Sequence, residues 1–259
     1  MRHLFLLSLL LLASLSPVHS AQEPSGAVDI AEIRSAAEQG YAHAQHSLGL
    51  LYLLGQGVVQ DYVEARKWYL KAANQGDAIA QNNLGFLYER GHGVAQDYVE
   101  ARKWYLKAAE QGAAIAQNNL GTLYELGQGV AQNYVEACKW KLKAAEQGNA
   151  EAQYDLGHLY EFGLGVAQNY VQARKWFLKA AEQGNANAQG GLGSLYVLGE
   201  GVTQDYTMAY VWLNLAAAQG DANARKFRDA VAAKLDAASL AEAQKLSRKY
   251  FKLYVEPFQ

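Results

Sequence analysis

Apolar residues along this chain fall into two nested periods. Ala80, Leu84, Leu87 and Tyr88 are spaced by about one helical turn, so they form a stripe on an α-helix. Tyr98, Ala101, Trp104 or Tyr105, and Ala108 do the same on a second helix. Gly91, Gly93 and Val94 lie between the two and predict a tight turn, with Gly91 in the left-handed conformation that ends a helix. The pair then recurs. Gly49, Gly85, Gly121, Gly157 and Gly193 lie 36 residues apart, as do Trp68, Trp104, Trp140, Trp176 and Trp212. A period of this length marks units that bury a face only against their neighbours. The prediction is an all-α solenoid of antiparallel helix pairs, a fold that presents a long surface to a partner.

Five units run over 41–76, 77–112, 113–148, 149–184 and 185–220, each closed by a Gln-Gly pair such as Gln111-Gly112. A lone helix over 29–40 precedes them, and a degenerate repeat with a capping helix follows over 221–259. Asp77 is placed to cap its unit's first helix. Asp61 with Glu64, Asp97 with Glu100, Asn133 with Glu136 and Asn169 with Gln172 read as capping boxes on the second helices, and Ser239 with Glu242 as one more. Ala222, Ala224 and Phe227 stand in for the full apolar pattern after the fifth unit. Leu240, Ala243, Leu246, Tyr250 and Leu253 then form the inner face of the last helix. Gly85 and its equivalents cost about 1 kcal/mol each against alanine, which close helix packing must offset. The recurring indole is expected to fill the gap between units, so truncating Trp140 should cost about 3–5 kcal/mol.

Composition adds an address. Arg2 and His3, the apolar run Leu4–Leu15, Pro17 and a small residue at Ser20 have the layout of a secretory signal peptide over 1–20. The run is short for an uncleaved span of about 20 residues. Residues 21–28 read as a flexible leader, and no membrane span is expected after cleavage. The expectation is an exported, monomeric protein, periplasmic or secreted. Cys138 is the single cysteine, which excludes an intrachain disulfide. It stands where sister units hold Arg66, Arg102 and Arg174, as a tolerated substitution or as a thiol open to intermolecular chemistry. A net charge of −2, with basic and acidic residues mixed on the same helices, speaks against nucleic acid as a partner.

The unit Ala-x-Ala-Gln-x-x-Leu-Gly-x-Leu-Tyr-x-x-Gly-x-Gly-Val, then Asp/Asn-Tyr-x-x-Ala-x-x-Trp-x-x-x-Ala-Ala-x-Gln-Gly, closely resembles the Sel-one-like repeat, a relative of the tetratricopeptide repeat. The resemblance covers residues 41–220 and implies a right-handed α/α superhelix with the first helix of each unit, helix A, on the concave side. It implies a protein-binding adaptor without catalysis and without a cofactor. Some cysteine-rich exported relatives are described as binding or hydrolysing penicillins, so a cell-wall ligand binder or β-lactam-acting protein is the alternative. This chain lacks their cysteine pairs and any Ser-x-x-Lys.

The units differ from one another at four places on helix A, spaced so as to share one face. These places hold His43 and His46 in the first unit and Ile79, Asn82, Asn83 and Phe86 in the second. The third unit carries Ile115, Asn118, Asn119 and Thr122, the fourth Glu151, Tyr154, Asp155 and His158, and the fifth Asn187, Gly190, Gly191 and Ser194. By the resemblance, this face lines the groove. It is read as a strip of amides and aromatics that binds an unidentified protein or peptide, against the alternative of drift on a solvated surface. His43 and His46 lie one turn apart, but a metal site needs further ligands. No Walker loop, His-Glu-x-x-His or Gly-x-Ser-x-Gly is present.

Overall fold

The computed structural model describes residues 29–259. The signal peptide and leader read from the sequence lie outside them. The described residues form thirteen α-helices and one short 3-10 turn, without strands. After α1 (Ile30–Glu38) come five hairpins: α2 (Ala42–Leu54) with α3 (Tyr62–Asn74), α4 (Ala78–Arg90) with α5 (Tyr98–Glu110), α6 (Ala114–Leu126) with α7 (Tyr134–Glu146), α8 (Ala150–Phe162) with α9 (Tyr170–Ala181), and α10 (Ala186–Leu198) with α11 (Tyr206–Ala218). Two helices finish the stack, α12 (Ala222–Ala232) and α13 (Ala237–Tyr254). From α2 to α12 each helix packs on the next, and α13 returns onto α11. This is the all-α solenoid of tandem helix pairs that the repeat predicts.

Local chemistry explains the joints. Every A helix of the five units ends on a left-handed glycine, for example Gly91 at φ 69°. The next helix opens on Asp61, Asp97, Asn133, Asn169 or Asp205, whose side-chain oxygen accepts from first-turn amides. These caps are not reciprocal boxes. The amide of Asp97 is already donated to Tyr88 O at 2.9 Å, and Glu100 turns outward to Lys103 at 2.8 Å. The last helix also differs from its sequence reading. Asp236, not Ser239, is its cap, and the Asp236 carboxylate accepts from the Ser239 amide.

Buried glutamines tie unit to unit. Gln81, on helix A, donates to Ala73 O at 3.0 Å and accepts from Gln111 at 2.7 Å, and Gln45, Gln117, Gln153 and Gln189 repeat the arrangement. A buried carbonyl and two side-chain amides are thereby satisfied at every joint. The Gln-Gly closure is thus a lock as well as a turn.

The hydrophobic interior is divided into four clusters along the stack instead of one core. Within each hairpin the residue after the tryptophan is almost completely buried. Tyr69, Tyr105 and Phe177 are fully buried, with their rings over Gly49, Gly85 and Gly157. A Cβ at Gly85 would come within 2.7 Å of the Tyr105 ring, which accounts for glycine in mid-helix. Trp68, Trp104 and Trp176 are also buried, whereas Trp140 is only half-buried against the third cluster. The large cost expected for truncating Trp140 therefore belongs to Tyr105 or Phe177. Ala224 and Ala243 are buried as the sequence reading has them, but Ala222, Phe227 and Leu253, also read as inward, are exposed, and Val231 of α12 and Ser247 of α13 are buried instead.

Candidate protein-binding face

The A helices are α2, α4, α6, α8 and α10, and side chains link them directly at two of the unit junctions. Asn119 of α6 donates to Asn82 of α4 at 3.0 Å, and Asn185, which caps α10, donates to Glu151 of α8 at 3.3 Å. Asn82 also approaches Asn83 at 3.4 Å. The buried side-chain oxygen of Asn118 has no hydrogen-bond partner. One edge of this face is exposed and chemically mixed: His43, Ile79, Ile115, Glu151 and Asn187. Ile79 and Ile115 remain 44% and 46% exposed. The middle is half-buried, comprising Asn82, Asn83, Phe86, Asn118, Asn119, Thr122, Tyr154, Asp155 and His158.

Not every predicted residue sits on that open surface. His46 is turned inward, with its ring 6.1 Å from that of Tyr69. Burial lowers its pKa and the nearby His43 adds to the effect, against the opposing pull of Asp77. The His43 and His46 rings lie 6.2 Å apart, and no group of three potential metal ligands occurs among the described residues. Phe86 is half-buried rather than exposed, edge-on to His92 at 6.0 Å.

The sequence reading missed two features. The first is a fifth variable place at the end of each A helix, holding Leu54, Arg90, Leu126, Phe162 and Leu198. It lies eleven residues beyond the first variable place, close to three full turns, and so continues the same face. Leu126, Phe162 and Leu198 are 56%, 57% and 62% exposed, and Phe162 rests its ring 4.6 Å from His158. Their apolar character at a helix end blends with the core stripe.

The second is Lys141. It takes the place of Tyr69, Tyr105 and Phe177, and its chain lies against Gly121 where those rings lie against their glycines. Only 1% exposed, it bonds Asp155, pairs with Glu125 at 3.1 Å and donates to Thr122 Oγ1 at 3.1 Å. The equivalent of Glu125 in the second unit, Glu89, accepts from Tyr105 Oη at 2.8 Å. In the first unit that place is Leu53, and the Tyr69 hydroxyl, close to Asn83, completes no well-formed bond. The signal is present in the sequence as Lys-Trp-Lys where sister units read Lys-Trp-Tyr or Lys-Trp-Phe. Two predicted face residues, Thr122 and Asp155, are thus partly engaged in holding this lysine.

Carboxylates of the third and fourth units gather around Tyr154. Burial raises the Tyr154 pKa, and the carboxylates of Asp155, Glu161, Glu151 and Glu125 add to it. Glu151, exposed at one side, is raised by partial desolvation among its neighbours and then by Asp155, and Glu161 by burial and then by Glu200. Such a surface is rich in acceptors and has apolar edges. No helix among the described residues is long and apolar enough to cross a membrane.

Comparison with known proteins agrees with this architecture. The Sel1 repeat profile matches residues 42–77, 78–112, 114–149, 150–185 and 186–221. A Sel1 repeat protein from Oxalobacter formigenes is 37% identical with a TM-score of 0.72, over 78% of this chain and 59% of that one. The chain thus spans less than two thirds of that protein's length. A sel1 repeat protein from Klebsiella pneumoniae subsp. pneumoniae is 26% identical with a TM-score of 0.52, over 78% of this chain and 98% of that one. A comparison with curated proteins returns no match. With five tandem matches over most of its length and the corresponding helix-pair stack, the chain belongs to the Sel1 repeat family.

Proposed function

We propose that this protein is an exported scaffold that binds a partner protein or peptide along the joined A-helix face and performs no chemistry itself. The observation that carries the reading is the continuity of that face. Side chains hydrogen-bond across it between α4 and α6 and between the cap of α10 and α8, while Ile79, Ile115, Leu126, Phe162 and Leu198 stay exposed at its edges. Exposed apolar residues aligned by a repeat mark an interaction surface better than scattered ones do. The B helices are mixed in another way: Val63, Val99, Val135 and Val171 are exposed in the repeat's register there, beside Lys67, Lys103 and Lys139, which pair with glutamates of their own helices. Export rests on the first twenty residues.

Affinity capture from envelope extract with residues 21–259 tests the reading. A variant carrying Ile79→Asp, Ile115→Asp and Leu126→Asp changes exposed positions only, so its helical content should match the parent's. A control carries Lys67→Glu, Lys103→Glu and Lys139→Glu on the B helices. Partner retention by parent and control, with loss in the first variant, is expected. Equal retention by all three would move the site off this face.

A further inference from the structure

The A-helix face deepens at one point. Between α8, α10 and α12 lies a cleft of about 190 Å³. It is well below the roughly 300–1,000 Å³ of small-molecule sites, and suits a single side chain. The opening has a specific cause. Asn82, Asn118 and Tyr154 fill the corresponding place in the second to fourth units, but the fifth has Gly190. A Cβ at Gly190 would meet only the outer carboxylate oxygen of Asp221, 3.8 Å away.

The walls have a definite chemistry. Tyr154 and Phe227 supply two aromatic surfaces, and Phe227 is 59% exposed. Asn187, Ser194 and Asn223 give neutral polar edges. Asp221 is the only charged side chain lining the cleft among the described residues. Its Oδ1 caps α12 by accepting from the Asn223 and Ala224 amides, while Oδ2 is the atom that faces the space over Gly190. Of the basic residues on α12, Arg228 is engaged with Asp229 and Asn214, and Arg225 and Lys226 do not line the cleft. Two aromatic surfaces beside a carboxylate that caps a helix but has no cationic partner among the described residues favour a cation, which is attracted by ring faces and by charge together. An apolar guest would strand Asp221, and an anionic one would be repelled by it and by the carboxylates around Tyr154.

We propose that this cleft is the anchor of the binding face and receives one basic side chain, arginine or lysine, from the bound partner. The inference rests on the scaffold reading and assigns chemistry to one point of it. Arginine has the better shape, because its planar group can lie against a ring while its N–H groups reach a carboxylate.

The test uses two-dimensional NMR of residues 21–259 titrated with N-acetyl-arginine amide, N-acetyl-norleucine amide and N-acetyl-glutamate amide. Arginine amide should shift the Gly190, Ser194 and Asn223 resonances at concentrations where the other two leave them unmoved. Gly190→Asn restores the side chain of sister units without a backbone clash and should abolish those shifts. Asp221→Asn keeps a good helix cap and removes the charge, and should weaken binding by about tenfold, as expected for loss of a partly desolvated charge-assisted contact. Norleucine amide binding as well as arginine amide, or arginine shifts unchanged in both variants, would overturn the proposal. A parallel selection of random peptides separates this from the broader reading. Binders lost in the Ile79, Ile115 and Leu126 variant, but without a basic residue and indifferent to Gly190→Asn, would retain the scaffold and reject the anchor. An absence of binders on this face would reject both.

Discussion

At Lys141, a charge replaces the ring found in three sister units, and its neighbours have changed with it. Glu125 and Asp155 compensate the ammonium, while Gly121 accommodates its methylenes. Lys141→Ala removes the shared cation from two carboxylates that keep some contact with water. Breaking such a pair should cost about 3 kcal/mol, the low end for a buried ion pair. Lys141→Tyr copies the second unit, where Tyr105 donates to Glu89, and should stay within about 1 kcal/mol of the parent. Urea unfolding of both variants checks the contrast; equal losses would mean that Lys141 contributes through its volume alone. Cys138 gives a second prediction. Its thiol donates to Leu164 O at 3.3 Å, and burial, followed by the Glu125 charge, pushes its pKa to about 11. The nucleophilic thiolate should therefore be scarce at pH 8, and reaction with a disulfide reagent should be slow until urea opens the helix. Fast labelling of the native protein would contradict this placement.

The elements are the most legible part of the sequence, because a repeat supplies its own alignment. Helix spans, glycine stops and first-turn caps follow from spacing and side-chain chemistry that recur five times. Legibility weakens where a residue has to be assigned a direction. Apolarity alone puts Phe227 inward, yet Ala224 and Val231 face the stack and Phe227 lies against the cleft. His46 falls on the variable face by spacing, but the first unit lets it tuck against Tyr69. The end-of-helix row Leu126, Phe162 and Leu198 stays hidden because apolarity does not separate core from exposed surface. Joints between elements carry their own prediction. Gly129 has φ 67°, and a Cβ there would meet the Tyr98 carbonyl of the preceding hairpin at 2.4 Å. Gly148, at φ 90°, has no atom within 4 Å of such a Cβ. Both alanine variants incur the left-handed penalty of about 1–2 kcal/mol, but Gly129→Ala must also push two units apart. Its Tm should fall clearly further than that of Gly148→Ala, and equal shifts would show that this contact yields freely.

Across the whole stack, the four separate clusters imply that stability is distributed unit by unit. The last cluster is the largest, drawing on α9 to α13, with Trp212 packed against Tyr250 and Tyr254 at 5.4 Å and 6.0 Å. Native-state hydrogen exchange should show the strongest protection there and weaker protection in α2 and α3, with Gly129→Ala opening the second and third units first. Uniform loss of protection would point to one cooperative block. The central claim is that the A-helix face is where the partner sits. Photocrosslinking measures this directly, with a benzophenone side chain placed in turn at Ile79, Ile115 and Leu198 on that face and at Lys67, Lys103 and Lys175 on the B helices. The account predicts a partner adduct from the first three positions and none from the others; adducts confined to the B helices would contradict it.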